Sequence, residues 1–300
     1  MPIKELKIDL TPHIQRVKLK PRRDILNRVL EGNWSTIFKG QGLEFAGFRA
    51  YTYGDDASKI DWGASLRAHD ILVRELEEYH NFNVFFLVDV SNSMLFSSTD
   101  TGKLKAEYAA ELAFSLCYAM MQSGDAIGLG MFNDKLVTKI PPNLGKGAYY
   151  QILRALSNKN NYGGDFDLTK ALLYVRSFLK ERSVIILISD FIGLQEGWHS
   201  YLNILSGIYD IIGIMVRDPR DSFMPQSSGQ YLIEDPFSNE KLYIDSHQYA
   251  KVYRKETKKE EEFIRSSFEK AKLGFIQLRT DEDFQEPIMK YFRKRLTLTR

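Results

Sequence analysis

The stretch VFFLVDVSNS at residues 84–93 decides the fold of this chain. Five apolar residues lead directly into Asp89, and Ser91 and Ser93 follow at alternate positions. A short continuous apolar run is typical of a strand that is buried on both faces, as in a parallel sheet. Open α/β sheets bind their ligands at the carboxyl ends of such strands. The stretch therefore predicts a buried strand with a polar site at its end.

Asp89, Ser91 and Ser93 offer one carboxylate and two hydroxyls, which are small oxygen ligands. Hard divalent cations prefer oxygen, so Mg²⁺ is the expected ion and Mn²⁺ or Ca²⁺ the alternatives. Because a serine hydroxyl is neutral and weak, the metal would stay electron-poor and accept a further carboxylate from outside. The competing interpretation is that Asp, Ser and Asn are ordinary turn formers after a strand.

The sequence Asp89-Val90-Ser91-Asn92-Ser93 resembles the DxSxS motif of the metal-ion-dependent adhesion site in von Willebrand factor A domains. The stretch RSVIILISDFIGL at residues 182–194 predicts a second buried strand, which ends in Ser189-Asp190. The resemblance implies that Asp190 corresponds to the aspartate that holds a metal-bound water in those domains. Adjacent strand ends lie about 5 Å apart, so the carboxylates of Asp89 and Asp190 are expected to converge.

We expect an ion or a water cluster between these two carboxylates. A lysine or arginine filling that space would contradict the metal interpretation. The alternative to a metal site is that each of the two aspartates caps a helix.

A third loop departs from the pattern of those domains. Von Willebrand factor A domains read GGTDLxxAL here, and their threonine is a metal ligand; this chain reads NYGGDFDLTKALLYV at residues 161–175. The threonine position falls on Asp165 or on Phe166, depending on the alignment, and Thr169 lies within a predicted helix. Either Asp165 substitutes as a ligand, or the site is poor in metal.

An unusual Gly-rich and aromatic stretch precedes these strands, at residues 40–78. Its spacing fits no nucleotide-binding loop, neither GxxxxGK[ST] nor GxGxxG. It does carry GxEFxxxRxYxxGDDxxxIDWxxxxR, and a DxSxS strand follows about twenty residues later. The matching residues are Gly42, Glu44, Phe45, Arg49, Tyr51, Gly54, Asp55, Asp56, Ile60, Asp61, Trp62 and Arg67. This signature resembles that of the bacterial domain of unknown function 58 (DUF58) family.

The charged members of the signature predict a buried or half-buried ion-pair network, since the planar guanidinium of arginine binds carboxylates bidentately. Arg49 and Arg67 would pair with Glu44, Asp55, Asp56 and Asp61, under a cover of Tyr51 and Trp62. The alternative is a docking surface for a partner.

Alternating strands and helices predict a doubly wound, mostly parallel α/β sheet, which the resemblance makes von Willebrand factor A-like. We expect an N-terminal extension at residues 1–80, packed on a domain at residues 81–300. A β-hairpin is expected as an insertion near residues 230–245.

The bulk composition excludes several classes of protein. With 300 residues, 44% of them hydrophobic, the chain can bury a substantial core. A net charge of +2 gives no argument for nucleic acid, and the basic run at residues 18–23 has no supporting motif. A single cysteine, Cys117, excludes an intramolecular disulfide framework. No apolar stretch is long enough for a signal peptide or a membrane span, so a cytoplasmic protein is expected.

The DUF58 resemblance implies a non-catalytic, metal-dependent protein-binding or scaffold module that works with a MoxR-type AAA+ ATPase. The partner would offer a carboxylate to the metal. The main alternative is a metal-dependent phosphohydrolase on a similar sheet, but the DxSxS motif lacks the second carboxylate of DxDx[TV] for acid–base work, and no GxSxG elbow is present. A scaffold without metal is a third possibility.

Overall fold

The computed structural model describes residues 44–77, 82–98, 103–224, 230–238 and 240–298. Gly42 and the basic run at residues 18–23 lie outside these ranges. The first part forms a two-stranded antiparallel sheet of β1 (Glu44–Ala50) and β2 (Leu72–Glu77), with α1 (Trp62–Ala68) between the strands. Backbone hydrogen bonds tie this part together, from Tyr51 N–H to Ile71 O (2.8 Å) and from Asp61 N–H to Leu72 O (3.0 Å).

The remaining strands build a six-stranded sheet and a separate hairpin. They are β3 (Asn83–Asp89), β4 (Ala126–Phe132), β5 (Leu136–Asn143), β6 (Val184–Ser189), β7 (Asp210–Arg217), β8 (Gln230–Glu234), β9 (Lys241–Asp245) and β10 (Gly274–Arg279). The order in the large sheet is β10-β7-β6-β3-β4-β5. All neighbours in it are parallel except β5, which lies antiparallel to β4 at the edge.

Helices cover both faces of the large sheet. They are α2 (Lys105–Gln122), α3 (Lys146–Ser157), α4 (Leu168–Arg176), α5 (Trp198–Ser206), the single turn α6 (Pro219–Ser222), α7 (Ser246–Lys270) and α8 (Gln285–Leu298). Val84, Phe86 and Val88 of β3 pack in one apolar cluster with α2, α3 and α8. Phe85 and Leu87 point the other way, into a second cluster with α4, α5 and α7.

This alternation explains why β3 is apolar at successive positions: each of its faces is covered by helices. The prediction of a doubly wound, mostly parallel α/β sheet is therefore confirmed. The expected hairpin is also present, as the antiparallel pair of β8 and β9. No helix within the described ranges is long and apolar enough to cross a bilayer.

The topology fixes the position of a site. From β3 the chain adds β4 and β5 on one side, then crosses to add β6, β7 and β10 on the other. The strand order therefore reverses between β3 and β6, where the loops after these strands diverge and leave a crevice. Asp89 ends β3, and Asp190 follows β6 directly.

Candidate metal centre

Asp89 lies at the carboxyl end of β3 and is fully buried. Val88 pairs with Ile188 in the parallel ladder of β3 and β6, which places Asp89 level with Ser189. Asp89 Oδ2 accepts a hydrogen bond from the Ser189 hydroxyl (2.7 Å), and Oδ1 accepts one from the Ser91 N–H (2.9 Å). The two strand ends predicted to meet do meet, and Ser189 joins them.

Ser91 and Ser93 complete the first loop of the site. Both are buried, and their hydroxyl oxygens lie 3.2 Å apart. The turn after Asp89 thus gathers one carboxylate and two hydroxyls in the interior of the protein. Turn formation alone does not require buried hydroxyls, which are usually left to solvent.

A second loop, at residues 163–164, is bound to this turn by its backbone. Gly163 N–H donates to Val90 O (2.7 Å), and Asn92 N–H donates to Gly164 O (2.9 Å). The Asn92 side chain accepts from Gly164 N–H (3.0 Å), and Asn133 Nδ2 donates to Gly163 O (2.7 Å). Gly164 has a φ of +96°, and a Cβ on it would lie 2.6 Å from Asn133 Nδ2. Glycine is therefore required here, both for conformation and for space.

The three residues that could take the position of the missing threonine ligand lie in different surroundings. Phe166 is buried against Phe132, with ring centroids 5.9 Å apart, so it belongs to the core. Asp165 is exposed, and Thr169 lies within α4. Asp167, not Asp165, caps that helix by accepting a hydrogen bond from Lys170 N–H. The suggestion that Asp165 acts as a ligand stays a prediction, from an exposed position at the rim.

Asp190 has a partner that the sequence did not reveal. Lys105, at the start of α2 and 1% exposed, places its ammonium 2.7 Å from Asp190 Oδ2 and 2.9 Å from Asp221 Oδ2. Asp190 Oδ1 accepts a hydrogen bond from Ile192 N–H (3.0 Å). Both oxygens of Asp190 are thus engaged by the protein itself.

The loop that carries Asp190 has an uncommon backbone. Phe191 is buried and has a φ of 54°, in the left-handed region that non-glycine residues seldom adopt. Such conformations persist only where the surrounding structure enforces them, and they cluster at functional sites. Here the conformation directs Ile192 N–H back to Asp190.

The two buried aspartates of the site differ in whether a cationic side chain accompanies them. Burial, and secondarily the negative charge of Asp190, raise the pKa of Asp89 above its usual value. Burial alone would lower the pKa of the Lys105 ammonium, but Asp190 and Asp221 outweigh that effect and raise it. Lys105 is therefore charged at neutral pH. Within the described residues, no lysine, arginine or histidine forms an ion pair with Asp89.

This donor set fits a small hard cation. Asp89 is a buried carboxylate without a counter-ion among the residues that the structure describes, and two serine hydroxyls lie in the same turn. Among the described residues, no group of three or more His, Cys, Asp or Glu side chains is arranged as a metal site. A cation here would thus be held by Asp89, Ser91 and Ser93, with few charged ligands. A lysine beside these carboxylates would contradict the metal interpretation if it neutralised Asp89. Lys105 is such a lysine by position, but its ion pairs are with Asp190 and Asp221 and not with Asp89.

The acidic residues of the N-terminal signature make ion pairs at the surface. Arg49 binds Asp55 through two contacts, of 2.6 and 2.8 Å. Asp61 pairs with Arg74 at 2.7 Å, whereas Arg67 had been expected to take part. The arginine side chains are 43% and 58% exposed, respectively. Their partners Asp55 and Asp61 are 19% and 18% exposed, so the carboxylates are half-buried while the arginines face solvent.

The other signature residues shape the turns. Asp56 and Asp61 cap short helical segments, by accepting from Ser58 N–H and Ala64 N–H. Trp62 is 65% exposed, and Tyr51 is half-buried. Glu44 lies in β1. The carboxylates thus order this segment locally, while its aromatic residue at position 62 faces solvent.

A family model described as "Protein of unknown function DUF58" matches residues 47–263, which is well over half of the chain. The chain belongs to the DUF58 family. The match contains the signature from Arg49 to Arg67 as well as Asp89, Lys105 and Asp190. The DUF58 resemblance noted from the sequence is confirmed.

Uncharacterised relatives occur in mycobacteria. Proteins of Mycobacterium tuberculosis and Mycobacterium bovis are each 26% identical to this DUF58 chain over 212 residues. The aligned region covers 70% of this chain and 66% of each relative, so it spans just under two thirds of their length.

Two solved structures from Bacteroides are similar to this DUF58 protein. One is the conserved hypothetical protein BatB from Bacteroides thetaiotaomicron, 16% identical, with a TM-score of 0.46 over 71% of this chain and 98% of that one. The other is an aerotolerance-related membrane protein from Bacteroides fragilis, 18% identical, with a TM-score of 0.44 over 72% of this chain and 98% of that one.

Proposed function

We propose that this DUF58 protein is a non-catalytic binding module that captures a carboxylate of a partner protein through a divalent cation, most suitably Mg²⁺. Asp89, Ser91 and Ser93 would hold the cation. Asp190 supports the site from the neighbouring strand. The bound cation supplies a positive charge with an open coordination position, to which an Asp or Glu of the partner binds.

One observation carries this proposal. Asp89 is fully buried, yet no cationic side chain of the described residues pairs with it. Burying an ionised carboxylate is costly unless a positive charge accompanies it. A metal ion in the same turn as Ser91 and Ser93 provides that charge, and it makes use of two buried hydroxyls whose oxygens lie 3.2 Å apart.

The arrangement favours binding over cleavage. A hydrolase on this sheet would need a free acid or base beside Asp89 to move a proton. The nearest candidate is Asp190, whose carboxylate is engaged by Lys105 and by Ile192 N–H. A group held in this way stabilises charge but is poorly placed to exchange protons.

The partner system in this proposal is a MoxR-type AAA+ ATPase, in the assembly or maturation of a complex. This part rests on the family resemblance. It is compatible with the exposed rim of the site, where Gly164, Asp165 and Gly193 are open to an approaching protein.

The test is capture of the purified MoxR-type ATPase of the same cell on the immobilised DUF58 protein, in Mg²⁺ and in EDTA. We expect capture in Mg²⁺, and its loss both in EDTA and in Asp89→Ala. The matched control is Asp134→Ala, which removes a carboxylate from the β4–β5 turn at the same edge of the sheet and should leave capture intact.

Two outcomes would overturn the proposal. Capture that survives Asp89→Ala would identify a scaffold that needs no metal. Turnover of p-nitrophenyl phosphate that disappears with Asp89→Ala would identify a hydrolase.

A further inference from the structure

Lys105 is a deeply buried charged group outside the proposed ligand set. Its side chain is 1% exposed and lies with its ammonium 5.7 Å from the centre of the Phe96 ring. Its contacts with Asp190 and Asp221 join the loop after β6 to α6. A lysine is seldom buried so completely, and here it contacts Asp190, which follows the strand that pairs with the strand of Asp89.

The carboxylates around Lys105 outnumber the cations. Asp89, Asp190, Asp218 and Asp221 are all buried, whereas Lys105 and Arg217 are the two buried cations of this region in the described chain. Arg217 is partly committed elsewhere, since its guanidinium binds Glu260 at 2.9 Å. Lys105 is therefore the charge that neutralises Asp190.

We propose that Lys105 sets the charge of the metal centre: by holding Asp190 in an ion pair, it leaves Asp89 as the one charged ligand among Asp89, Ser91 and Ser93, which would hold the cation. This inference rests on the proposed function and names the residue that tunes it. A divalent cation with one carboxylate ligand keeps a net positive charge. That charge draws in an external carboxylate, which an additional protein carboxylate would otherwise replace.

Loss of the Lys105 ammonium is expected to change two affinities in opposite directions: that of the protein for the cation, and that of the bound cation for an external carboxylate. Without the ammonium, Asp190 becomes available to the cation, and affinity for the metal alone rises because ligand charge sets cation affinity. The same change satisfies the cation from within, so its affinity for an outside carboxylate falls. A merely structural lysine would weaken both.

The test is titration of Mn²⁺, followed by its electron paramagnetic resonance signal, into wild-type protein and Lys105→Met. We expect the dissociation constant for Mn²⁺ to fall about tenfold, on the scale by which groups behind the ligands tune metal sites. Acetate serves as the external carboxylate. It should tighten Mn²⁺ binding in the wild type, and do so less in the variant. The matched control is Lys103→Met, which removes an exposed lysine paired with Glu111 and should change neither quantity.

Lys105→Met leaves two buried carboxylates without a counter-ion and can fail to fold. The double variant Lys105→Met/Asp221→Asn removes one of those charges and keeps Asp190, so it carries the same test. In either variant, Mn²⁺ affinity that is unchanged or weaker than in the wild type overturns the inference.

Failure of the inference and failure of the proposed function remain distinct. Wild-type binding that requires Asp89 but is not tightened by loss of Lys105 overturns only the role of Lys105. If the wild type binds no Mn²⁺ and the variant binds it through Asp89, the role of Lys105 stands and the proposed metal-dependent function falls. If neither binds Mn²⁺, both are overturned.

Discussion

The hydroxyl of Ser189 donates a 2.7 Å hydrogen bond to Asp89 Oδ2, across the junction of two parallel strands. The same hydroxyl oxygen accepts Phe191 N–H at 2.9 Å, so Ser189 orients the candidate ligand and the loop behind it together. Both residues are fully buried. The position of the Asp89 carboxylate therefore depends on a residue from another strand.

Replacing Ser189 with alanine removes this donor while keeping the strand. We expect the free energy of unfolding to fall by about 1–3 kcal/mol, because buried polar groups lose their partner. Mn²⁺ affinity should fall about tenfold or more, as for other groups that orient a ligand. Urea denaturation and Mn²⁺ titration measure the two effects. Ser177→Ala, which removes an exposed hydroxyl bonded to Tyr174 O, is the control; equal losses in both variants would contradict the role of Ser189.

Gly164 is expected to tolerate no side chain. Gly164→Ala places a methyl group 2.6 Å from Asn133 Nδ2 at a φ of +96°, so the loop must move. We expect a loss of about 1–3 kcal/mol in the free energy of unfolding, together with weaker Mn²⁺ binding.

The contrasting substitution is Gly147→Ala. Gly147 is an exposed residue of α3, and a Cβ there meets nothing within 4 Å. Alanine should stabilise the protein by about 0.5–1 kcal/mol, since it is the better helix former. Thermal denaturation of both variants checks the pair, and a neutral Gly164→Ala would show that the loop adapts freely.

Asp125 makes the stability depend on pH. Burial raises its pKa to about 7, and the hydrogen bond that Oδ1 accepts from Phe82 N–H opposes this only in part. Among the residues that the structure describes, Oδ2 has no hydrogen-bond partner. The folded state therefore binds this proton more tightly than the unfolded state, whose carboxyl titrates near 3.8. The stabilisation is complete below pH of about 4 and is lost as the pH rises to about 7, by at most ~4 kcal/mol.

The variant Asp125→Asn keeps an acceptor for Phe82 N–H but carries no charge. We expect it to be more stable than the wild type at pH 8, and to lose less stability between pH 5 and pH 8. Urea denaturation at the two pH values measures this, with the exposed Asp281→Asn as control. A slope equal to that of the wild type would exclude Asp125 as the titrating group; Asp89, whose pKa is also raised, accounts for a residual slope.

Replacing Arg49 distinguishes the two interpretations of the N-terminal signature, which are structural support and a docking surface. The arginine side chain of the ion pair between Arg49 and Asp55 is 43% exposed, and ion pairs at the surface contribute little to stability. Arg49→Ala should therefore change the unfolding midpoint only slightly. If the segment is a docking surface, capture of the MoxR-type ATPase should fall; Lys59→Ala, an exposed lysine in the same segment, is the control. Unfolding of the segment by Arg49→Ala, seen as new proteolytic cleavage at residues 50–70, would favour structural support.

The strands of the central sheet could be predicted from sequence because their signal is local. Residues 84–88 and 184–188 are apolar at successive positions, which is typical of a strand covered on both faces. The meeting of Asp89 with the end of β6 followed from the same reasoning. Ser189 stood beside Asp190 in the sequence, but its hydrogen bond to Asp89 depends on the register of β3 and β6.

Lys105 shows what local reasoning misses. It follows Lys103 near a helix start, a pattern that normally indicates a solvated surface. Its partners lie 85 and 116 residues further along the chain. One signal was available: Lys105 precedes Tyr108 and Leu112 on the buried stripe of α2, where a lysine is out of place. Similarly, Arg74 and not Arg67 pairs with Asp61, because β2 returns beside the start of α1.

The outer strand β5 has a consequence for the behaviour of the protein at high concentration. The end of this strand carries Pro141 and Pro142, neither of which has an N–H. The strand lies so close to β4 that a Cβ built on Gly128 would be 2.7 Å from Pro142 N. The register between β4 and β5 also shifts at this point. An edge strand that lacks N–H donors at two positions and has an irregular register offers a poor template for another strand. This side of the molecule is thereby protected against fibre-like self-association.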